Sequence, residues 1–385
     1  ICYTATLTYL FEVHRMIGRH KKLQTTVARV YTILTSTIGA SVILFVLVNL
    51  LSLIPLQLLT PPPLSQQVKD KWGQCFPAEN SQELAVLLSE TWGRPYRYEP
   101  YVEHMERSFQ GTYVNISDQG FRYVENQGPW PPNKEKLNIF VFGGSTTFGQ
   151  GIADNQTIPS LIQKLLRNRL KKEVNVYNFG AGHFYSTQEL ILFERLLSKL
   201  EVPIHIVIFL DGLNDFGNTQ DQSPVAPDLE KVIEGRVRYS ASMLLTQLPL
   251  VQLIIHFKYP QTRATVENAE AAKMILKRYH KNKRIIESIA NEFNIKTLFV
   301  WQPIPWYPKP AEGMQNLMGD FRYAKKGYEL AHQVFLNGEF GPNFLWLAEE
   351  STQSQCDLYV DSIHYSPKLT QFLAEKISNK LLLLL

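Results

Sequence analysis

Residues 141–151 read VFGGSTTFGQG and follow an apolar run, which places Ser145 on a glycine-flanked turn directly after a predicted strand. Such a turn holds a nucleophile exposed, with backbone N–H groups around it. Near the C-terminus, residues 361–364 read DSIH. An aspartate three positions before a histidine is a compact way to bring a base and its orienting carboxylate to a serine. Either string alone is weak, because glycine turns and DxxH sequences are common in loops.

Two further apolar runs end in small or polar loops. Residues 174–178 (VNVYN) run into FGAGH, and residues 204–210 (IHIVIFL) run into DGLND. Helix-like stretches separate the runs, at 158–170, 187–200 and 264–293. Strands that alternate with helices indicate a parallel α/β sheet, whose loops at the carboxyl ends of the strands share one edge. Ser145, the 180–183 loop, Asn214 and the Asp361/His364 pair are therefore predicted to lie along that edge.

These four blocks resemble the SGNH (GDSL-like) hydrolase family, which is named for a Ser, a Gly, an Asn and a His. GGSTTFG corresponds to the serine block, NFGAGHFYSTQE to the glycine block, DGLND to the asparagine block and DSIH to the histidine block. The resemblance spans roughly Leu137 to Ile377, with an insertion between the third and fourth blocks. It implies a flavodoxin-like three-layer α/β/α sandwich with a parallel sheet, and hydrolysis, or sometimes transfer, of ester-linked acyl groups.

The resemblance also implies the catalytic roles. A serine hydroxyl needs a base to take its proton, and His364 is the candidate base for Ser145. Asp361 is the candidate partner for the other ring nitrogen, which would fix the tautomer of His364. One departure is mild: Gly144 stands where many members of the family carry an aspartate.

The oxyanion hole involves the larger departure from the family pattern. The implied donors are the backbone N–H of Ser145, the backbone N–H at the glycine position and the side-chain amide of Asn214. The glycine position falls on His183, with Gly180 and Gly182 just upstream as alternatives. Any residue except proline supplies a backbone N–H, so His183 is expected to serve. No metal or cofactor is expected, since the sequence has no HExxH, CxxC or paired DxD motif.

An apolar segment near the N-terminus predicts a membrane anchor. The stretch from Ile33 to Leu59 has no charged residue and exceeds the roughly 20 residues that a bilayer core requires. It is longer than a signal-peptide core, and no small-residue cleavage motif follows it. Five basic residues and one acidic residue precede it, whereas the charges after it are balanced. The positive-inside rule therefore predicts a cytosolic N-terminus and an extracytoplasmic hydrolase domain. A buried core helix fits such length and flanks poorly.

The predicted organisation has four parts. Residues 1–32 form a cytosolic basic segment, 33–59 the transmembrane helix, 60–136 a connector partly packed on the domain, and 137–385 the hydrolase-like domain. Within the domain, the insertion 218–258 is expected to be a lid, a membrane-facing surface or an extra packed helix pair. A net charge of +4 does not favour a nucleic-acid partner. Cys75 and Cys356 would both lie outside the cell membrane, where a disulfide is permitted.

The sequence thus predicts a membrane-anchored serine esterase that hydrolyses acyl esters, acetyl esters among them, of a glycan or lipid through an acyl-enzyme on Ser145. Two alternatives stay open. An O-acyltransferase that modifies an envelope polysaccharide would use the same Ser–His–Asp set with a sugar hydroxyl in place of water. A catalytically silent scaffold of a glycan-assembly complex would not need the Ser–His–Asp set. The substituted oxyanion position is the only sequence feature that supports this alternative.

Overall fold

A computed structural model of the chain describes residues 2–59, 75–76, 80–217, 248–258, 269–308, 323–349 and 358–385. The chain divides into two compact units. One comprises Ile1–Pro61 with Val237–Gln261, and the other comprises Pro62–Arg236 with Thr262–Leu385. Most of the predicted insertion, residues 218–247, lies outside the described residues, as do residues 60–74 of the predicted connector and Cys356.

The described elements begin with α1 (Cys2–Leu59), α2 (Ser81–Trp92), β1 (Tyr96–Glu99), β2 (Glu103–Glu106), β3 (Phe109–Gln110) and β4 (Asn115–Ile116). They continue with β5 (Leu137–Gly143), α3 (Ser145–Phe148), α4 (Ile158–Leu170), β6 (Val174–Gly180), α5 (Ser186–Lys199), β7 (Ile206–Asp211) and α6 (Leu213–Gly217). They end with α7 (Pro249–Lys258), α8 (Ala269–Glu292), β8 (Lys296–Trp301), α9 (Tyr323–Leu336), β9 (Phe344–Trp346) and α10 (Pro367–Leu382).

The smaller unit is built on α1. Within the described residues, one helix is long and apolar enough to cross a membrane, and it is the stretch Phe11–Gln57 of α1. Its apolar side chains are mostly exposed, as at Ile38 and Leu51. The helix begins well before the predicted span, so a membrane crossing would occupy only part of it.

Helix α7, the described part of the insertion, packs against α1. Asn49 is a buried polar residue of α1 that bonds across this contact. Its amide donates to Phe45 O at 2.9 Å, and its Oδ1 accepts from Leu250 N at 3.4 Å. An uncharged polar group surrounded by apolar residues is costly to bury unless it is hydrogen-bonded, and these two contacts provide the partners.

The larger unit contains a five-stranded parallel sheet in the order β6-β5-β7-β8-β9. Numbered along the chain, these strands follow the 2-1-3-4-5 order of flavodoxin-like folds. The predicted three-layer α/β/α sandwich is confirmed. The sheet is covered on both faces, which is why β6 and β7 are buried at every position and why their sequences are apolar runs rather than alternating patterns.

Alternate residues of β5 enter two different cores. Phe140 and Phe142 face the layer formed by α5, α8 and α9, whereas Ile139 and Val141 face the layer formed by α2, α4 and α10. On the first face, a row of phenylalanines crosses the sheet. The ring centroids of Phe142 and Phe209 are 4.9 Å apart, and those of Phe209 and Phe299 are 5.3 Å apart. Each buried ring contributes about 1.5–3 kcal/mol of transfer free energy, so the row stabilises the packing of the strands that end at the site.

The described part of the predicted connector belongs to the same unit as the sheet. Its hairpin β1–β2 and its residues Val102 and Met105 contribute to one core, and Leu84 and Leu88 of α2 contribute to the other. Arg122 pairs with Asn178 of the edge strand β6 through an isolated bridge. Cys75 is disulfide-bonded.

Candidate active site

The candidate nucleophile stands where β5 ends. Gly144 precedes α3, and its carbonyl accepts the N–H groups of Thr147 and Phe148 at 3.1 and 3.0 Å, so the chain turns into a helix directly at Ser145. A Cβ on Gly144 would lie 2.3 Å from Asn214 Nδ2. A side chain at this position would therefore require the amide of Asn214 to move.

The candidate base is held in a short closed loop before α10. Val360 N donates to His364 O at 2.9 Å, which brings the ends of the DSIH block together. Asp361 Oδ1 accepts the N–H groups of Ile363 and His364, both at 2.8 Å. Asp361 Oδ2 lies 2.6 Å from His364 Nδ1, and His364 Nε2 lies 2.9 Å from Ser145 Oγ. The three side chains thus form one hydrogen-bonded series across 219 positions of sequence.

The electrostatics of the pair favour a charged carboxylate. Burial raises the pKa of Asp361, but the facing charge of His364 and the hydrogen bonds from His364 and Ile363 outweigh it, so the net pKa lies below the usual value. An ionised Asp361 accepts the Nδ1–H of His364, which leaves Nε2 as the acceptor for a serine proton. Trp92, at the end of α2, packs edge-on against His364 with ring centroids 5.8 Å apart.

Asn214 lies in α6, just after β7. Its amide donates to Phe184 O at 2.7 Å and also approaches Gly144. The next residue, Asp215, is 1% exposed and accepts from Ser186 Oγ at 2.6 Å. Arg278 Nη2 donates to the carbonyl of Asp215 at 2.9 Å. Asp215 therefore braces the loop that presents Asn214.

The three candidate N–H donors of the glycine block differ in their surroundings. Gly180 N–H donates to Asn178 Oδ1 at 3.0 Å, and Gly182 N–H donates to Glu106 Oε1 at 3.2 Å. Both are therefore engaged by the chain's own side chains. Gly180 N–H and Gly182 N–H are thus committed to contacts within the fold.

His183 has an exposed side chain and a φ of 65°. A residue with a Cβ in this left-handed region costs about 1–2 kcal/mol relative to ordinary helical backbone. Glycine has no such cost, which is the physical reason that a glycine suits this position.

A group of buried carboxylates lies behind the Asn214 loop. Burial raises the pKa of Glu189 and of Asp211 well above their usual values, and the neighbouring charge of Asp215 raises both further. Glu189 is 0% exposed and Asp211 is 4% exposed. Among the described residues, no group of three His, Cys, Asp or Glu side chains has the arrangement of a metal site.

Four residues near the site were not predicted from sequence. Trp92 contacts His364, His104 and Glu106 contact Gly182, and Arg122 binds the backbone after α3. All four belong to the predicted connector. No spacing or motif distinguishes them in the sequence, because each reaches the site only through packing of distant segments.

The five-stranded parallel sheet and the four blocks at its edge give this chain the three-layer α/β/α architecture that the resemblance to SGNH (GDSL-like) hydrolases implied. A scan against protein-family models finds no match, and a search of curated proteins finds none either.

Solved structures with this architecture are matched at low identity. A G-D-S-L family lipolytic protein from Desulfitobacterium hafniense is 13% identical, with a TM-score of 0.34, and the match covers 64% of this chain and 99% of that one. A carbohydrate acetylesterase family member from Sinorhizobium meliloti is 14% identical, with a TM-score of 0.36 and coverages of 64% and 97%. The acetylxylan esterase Axe2 from Geobacillus stearothermophilus is 12% identical, with a TM-score of 0.37 and coverages of 63% and 93%. Likeness at this level identifies neither substrate nor partner.

Proposed function

We propose that this protein is a membrane-anchored serine ester hydrolase that cleaves acyl esters of a glycan or lipid through an acyl-enzyme on Ser145. The observation that carries the proposal is the series from Ser145 Oγ to His364 Nε2, 2.9 Å apart, and from His364 Nδ1 to Asp361 Oδ2, 2.6 Å apart. Both distances are within hydrogen-bond range, as a nucleophile, its base and an orienting carboxylate require.

The proposed reaction has two halves. Ser145 Oγ attacks the ester carbon, its proton passes to His364 Nε2, and the carbonyl π pair moves to the carbonyl oxygen. The tetrahedral intermediate collapses as the C–O bond breaks, and the imidazolium gives its proton to the leaving alcohol. Water then repeats the sequence on the acyl-enzyme, which releases the acid and restores Ser145. The ionised carboxylate of Asp361 stabilises the imidazolium in both halves.

The proposed oxyanion hole consists of the N–H groups of Ser145 and His183 and the amide of Asn214. Each preorganised donor of this kind contributes about 2.7–4 kcal/mol to lowering the barrier.

The proposed topology has the N-terminus in the cytosol and the hydrolase domain on the opposite side. The excess of basic residues before the span supports this orientation. So does the disulfide at Cys75, because disulfides persist in oxidising compartments.

A fluorophosphonate probe tests the proposal on the full chain in detergent. We expect labelling of the wild type, and loss of both labelling and p-nitrophenyl acetate turnover by more than about a thousandfold in Ser145→Ala. Ser198→Ala is the matched control, because Ser198 is exposed on α5 and its hydroxyl donates to Arg195 O within the same helix. A wild type that is neither labelled nor active would favour the scaffold alternative. Acylated sugar as the main product in the presence of sugar acceptors would favour the transferase.

A further inference from the structure

The loop after β6 turns between Ala181 and Phe184. Phe184 N donates to Ala181 O at 3.2 Å, and His183, the third residue of this four-residue turn, has a φ of 65°. Gly182, the second residue, is not among the residues with positive φ. This is the pattern of a type II turn, whose third position requires positive φ and favours glycine. His183 therefore holds a conformation that its own side chain disfavours.

Two side chains of the β1–β2 hairpin hold this turn from outside. His104 Nε2 lies 2.9 Å from Gly182 O, and Glu106 Oε1 accepts Gly182 N–H at 3.2 Å. Both side chains are buried, and Glu106 is ion-paired to Arg94 at 3.1 Å. Because a carbonyl oxygen only accepts, His104 must donate from Nε2. Burial lowers the pKa of His104, and the resulting neutral ring has one N–H to give.

The hydrogen bond to Gly182 O also fixes His183 N–H. The carbonyl of one residue and the N–H of the next belong to a single planar trans peptide group, so they point in opposite directions. In a type I turn this central peptide faces the other way, and the third residue takes a negative φ that suits any side chain. Without an external contact, His183 would favour that alternative, and its N–H would turn away from its present direction.

We propose that His104 is a positioning residue: by donating to Gly182 O it keeps the Ala181–Phe184 turn in type II and holds His183 N–H towards the developing oxyanion. The inference rests on the proposed function of Ser145. The bond from His104 explains how a histidine can occupy the third position of this turn, where a glycine would adopt the positive φ without an external contact. Glu106 completes the clamp on the other side of Gly182.

A set of His104 and His183 variants of the full chain tests this role. His104→Leu removes the donor but fills the space, and we expect kcat on p-nitrophenyl acetate to fall about tenfold with KM nearly unchanged, because a positioned donor acts in the transition state. His104→Gln keeps a side-chain N–H and should stay within about threefold of the wild type. Adding His183→Gly to His104→Leu should restore kcat to within about threefold, because glycine adopts positive φ without the clamp.

Met105→Ala is the control for loosening of the hairpin. Met105 is the next residue of β2 and is 2% exposed, so its truncation lowers the melting temperature without removing a bond to the turn. A role in packing alone would not be rescued by His183→Gly. Two results would contradict the positioning role of His104 and leave the proposed function standing. One is Ser145-dependent turnover that is unchanged in His104→Leu. The other is a folded double variant whose kcat is no higher than that of His104→Leu. Absence of Ser145-dependent turnover in the wild type would overturn the proposed function and this inference with it.

Discussion

Replacing Arg122 by lysine is expected to destabilise the domain strongly. The guanidinium is fully buried, and its Nε donates to Asp154 Oδ1 at 2.7 Å. Nη1 donates to the carbonyls of Phe148 and Gly149 at 2.9 and 2.7 Å, and Nη2 donates to Ile152 O at 2.7 Å. These carbonyls belong to the segment that leaves the nucleophile helix, so Arg122 organises the backbone just after Ser145.

The magnitude follows from the shapes of the two cations. A guanidinium presents five donors in a rigid fork, whereas an ammonium presents three donors on one nitrogen. Nη2 also donates to Tyr113 O at 3.4 Å, which makes four carbonyl partners. A lysine that spends one donor on Asp154 has two left for these four carbonyls, so at least two of them stay unbonded. Hydrogen bonds to charged groups contribute about 1.5–3 kcal/mol each, so the expected loss is about 3–6 kcal/mol. Because each kcal/mol shifts the melting temperature of a large domain by about 2–4 °C, the shift should be on the order of 10 °C.

Thermal unfolding followed by circular dichroism, in one detergent for all variants, measures this shift. Arg97→Lys is the matched control, because Arg97 makes a partly exposed ion pair with Glu99 at 3.3 Å. Such pairs contribute about 0–1 kcal/mol, so the control should stay within about 4 °C of the wild type. If Arg122→Lys has the same melting temperature as Arg97→Lys, the hydrogen bonds of the buried guanidinium do not contribute the expected stability.

Asp361→Asn should reduce kcat less than His364→Ala, because the carboxylate orients the base and does not itself take the serine proton; wild-type kinetics in the histidine variant would remove the pair from the mechanism. Burial raises the pKa values of Glu189 and Asp211 in the folded chain, whereas in the unfolded chain both carboxyl groups lose their protons above about pH 4. The free energy of unfolding should therefore decrease as pH rises from about 4 through the folded pKa values. Melting temperatures measured across this pH range should decrease less steeply in Glu189→Gln than in the wild type, and an equal slope in both would contradict this prediction. Protease added to intact cells, with any outer envelope opened, should degrade the chain after Pro63 and spare an N-terminal tag; full protection of the domain would reverse the proposed topology.

The sheet could be predicted because its signals are local. Helix α4 was expected over 158–170 and spans Ile158–Leu170, since Thr157 caps its first turn and Pro159 suits an N-terminal position. The expected strand at 204–210 is β7 (Ile206–Asp211). By contrast, β9 spans only Phe344–Trp346. Three residues are too few to show a periodic hydrophobic pattern, so the sequence does not predict this strand. It forms at the edge of the sheet because its backbone hydrogen-bonds to β8.

The candidate site divides in the same way. The residues of the four blocks could be named because the chemistry restricts their types: a hydroxyl, an imidazole, a carboxylate and an amide. The hydrogen bond that occupies Gly182 N–H could not be read from sequence. It depends on Glu106, whose carboxylate engages Gly182 N–H across 76 positions, and such a contact exists only after the connector has packed.

The described part of the connector therefore supports the candidate active site and does not act merely as a spacer. Loops at the edge of a parallel sheet have few backbone partners of their own, yet a hole donor must be held within about 0.5 Å of its working position. In this chain Trp92 packs on the base side, and His104 and Glu106 pack on the proposed oxyanion side. His104 and Glu106 are buried polar groups, which are tolerated only when hydrogen-bonded. A buried polar contact that is costly to break also fixes the positions of the groups that it joins. Burial therefore makes His104 and Glu106 effective in holding the turn that contains His183, although no sequence motif marks either residue.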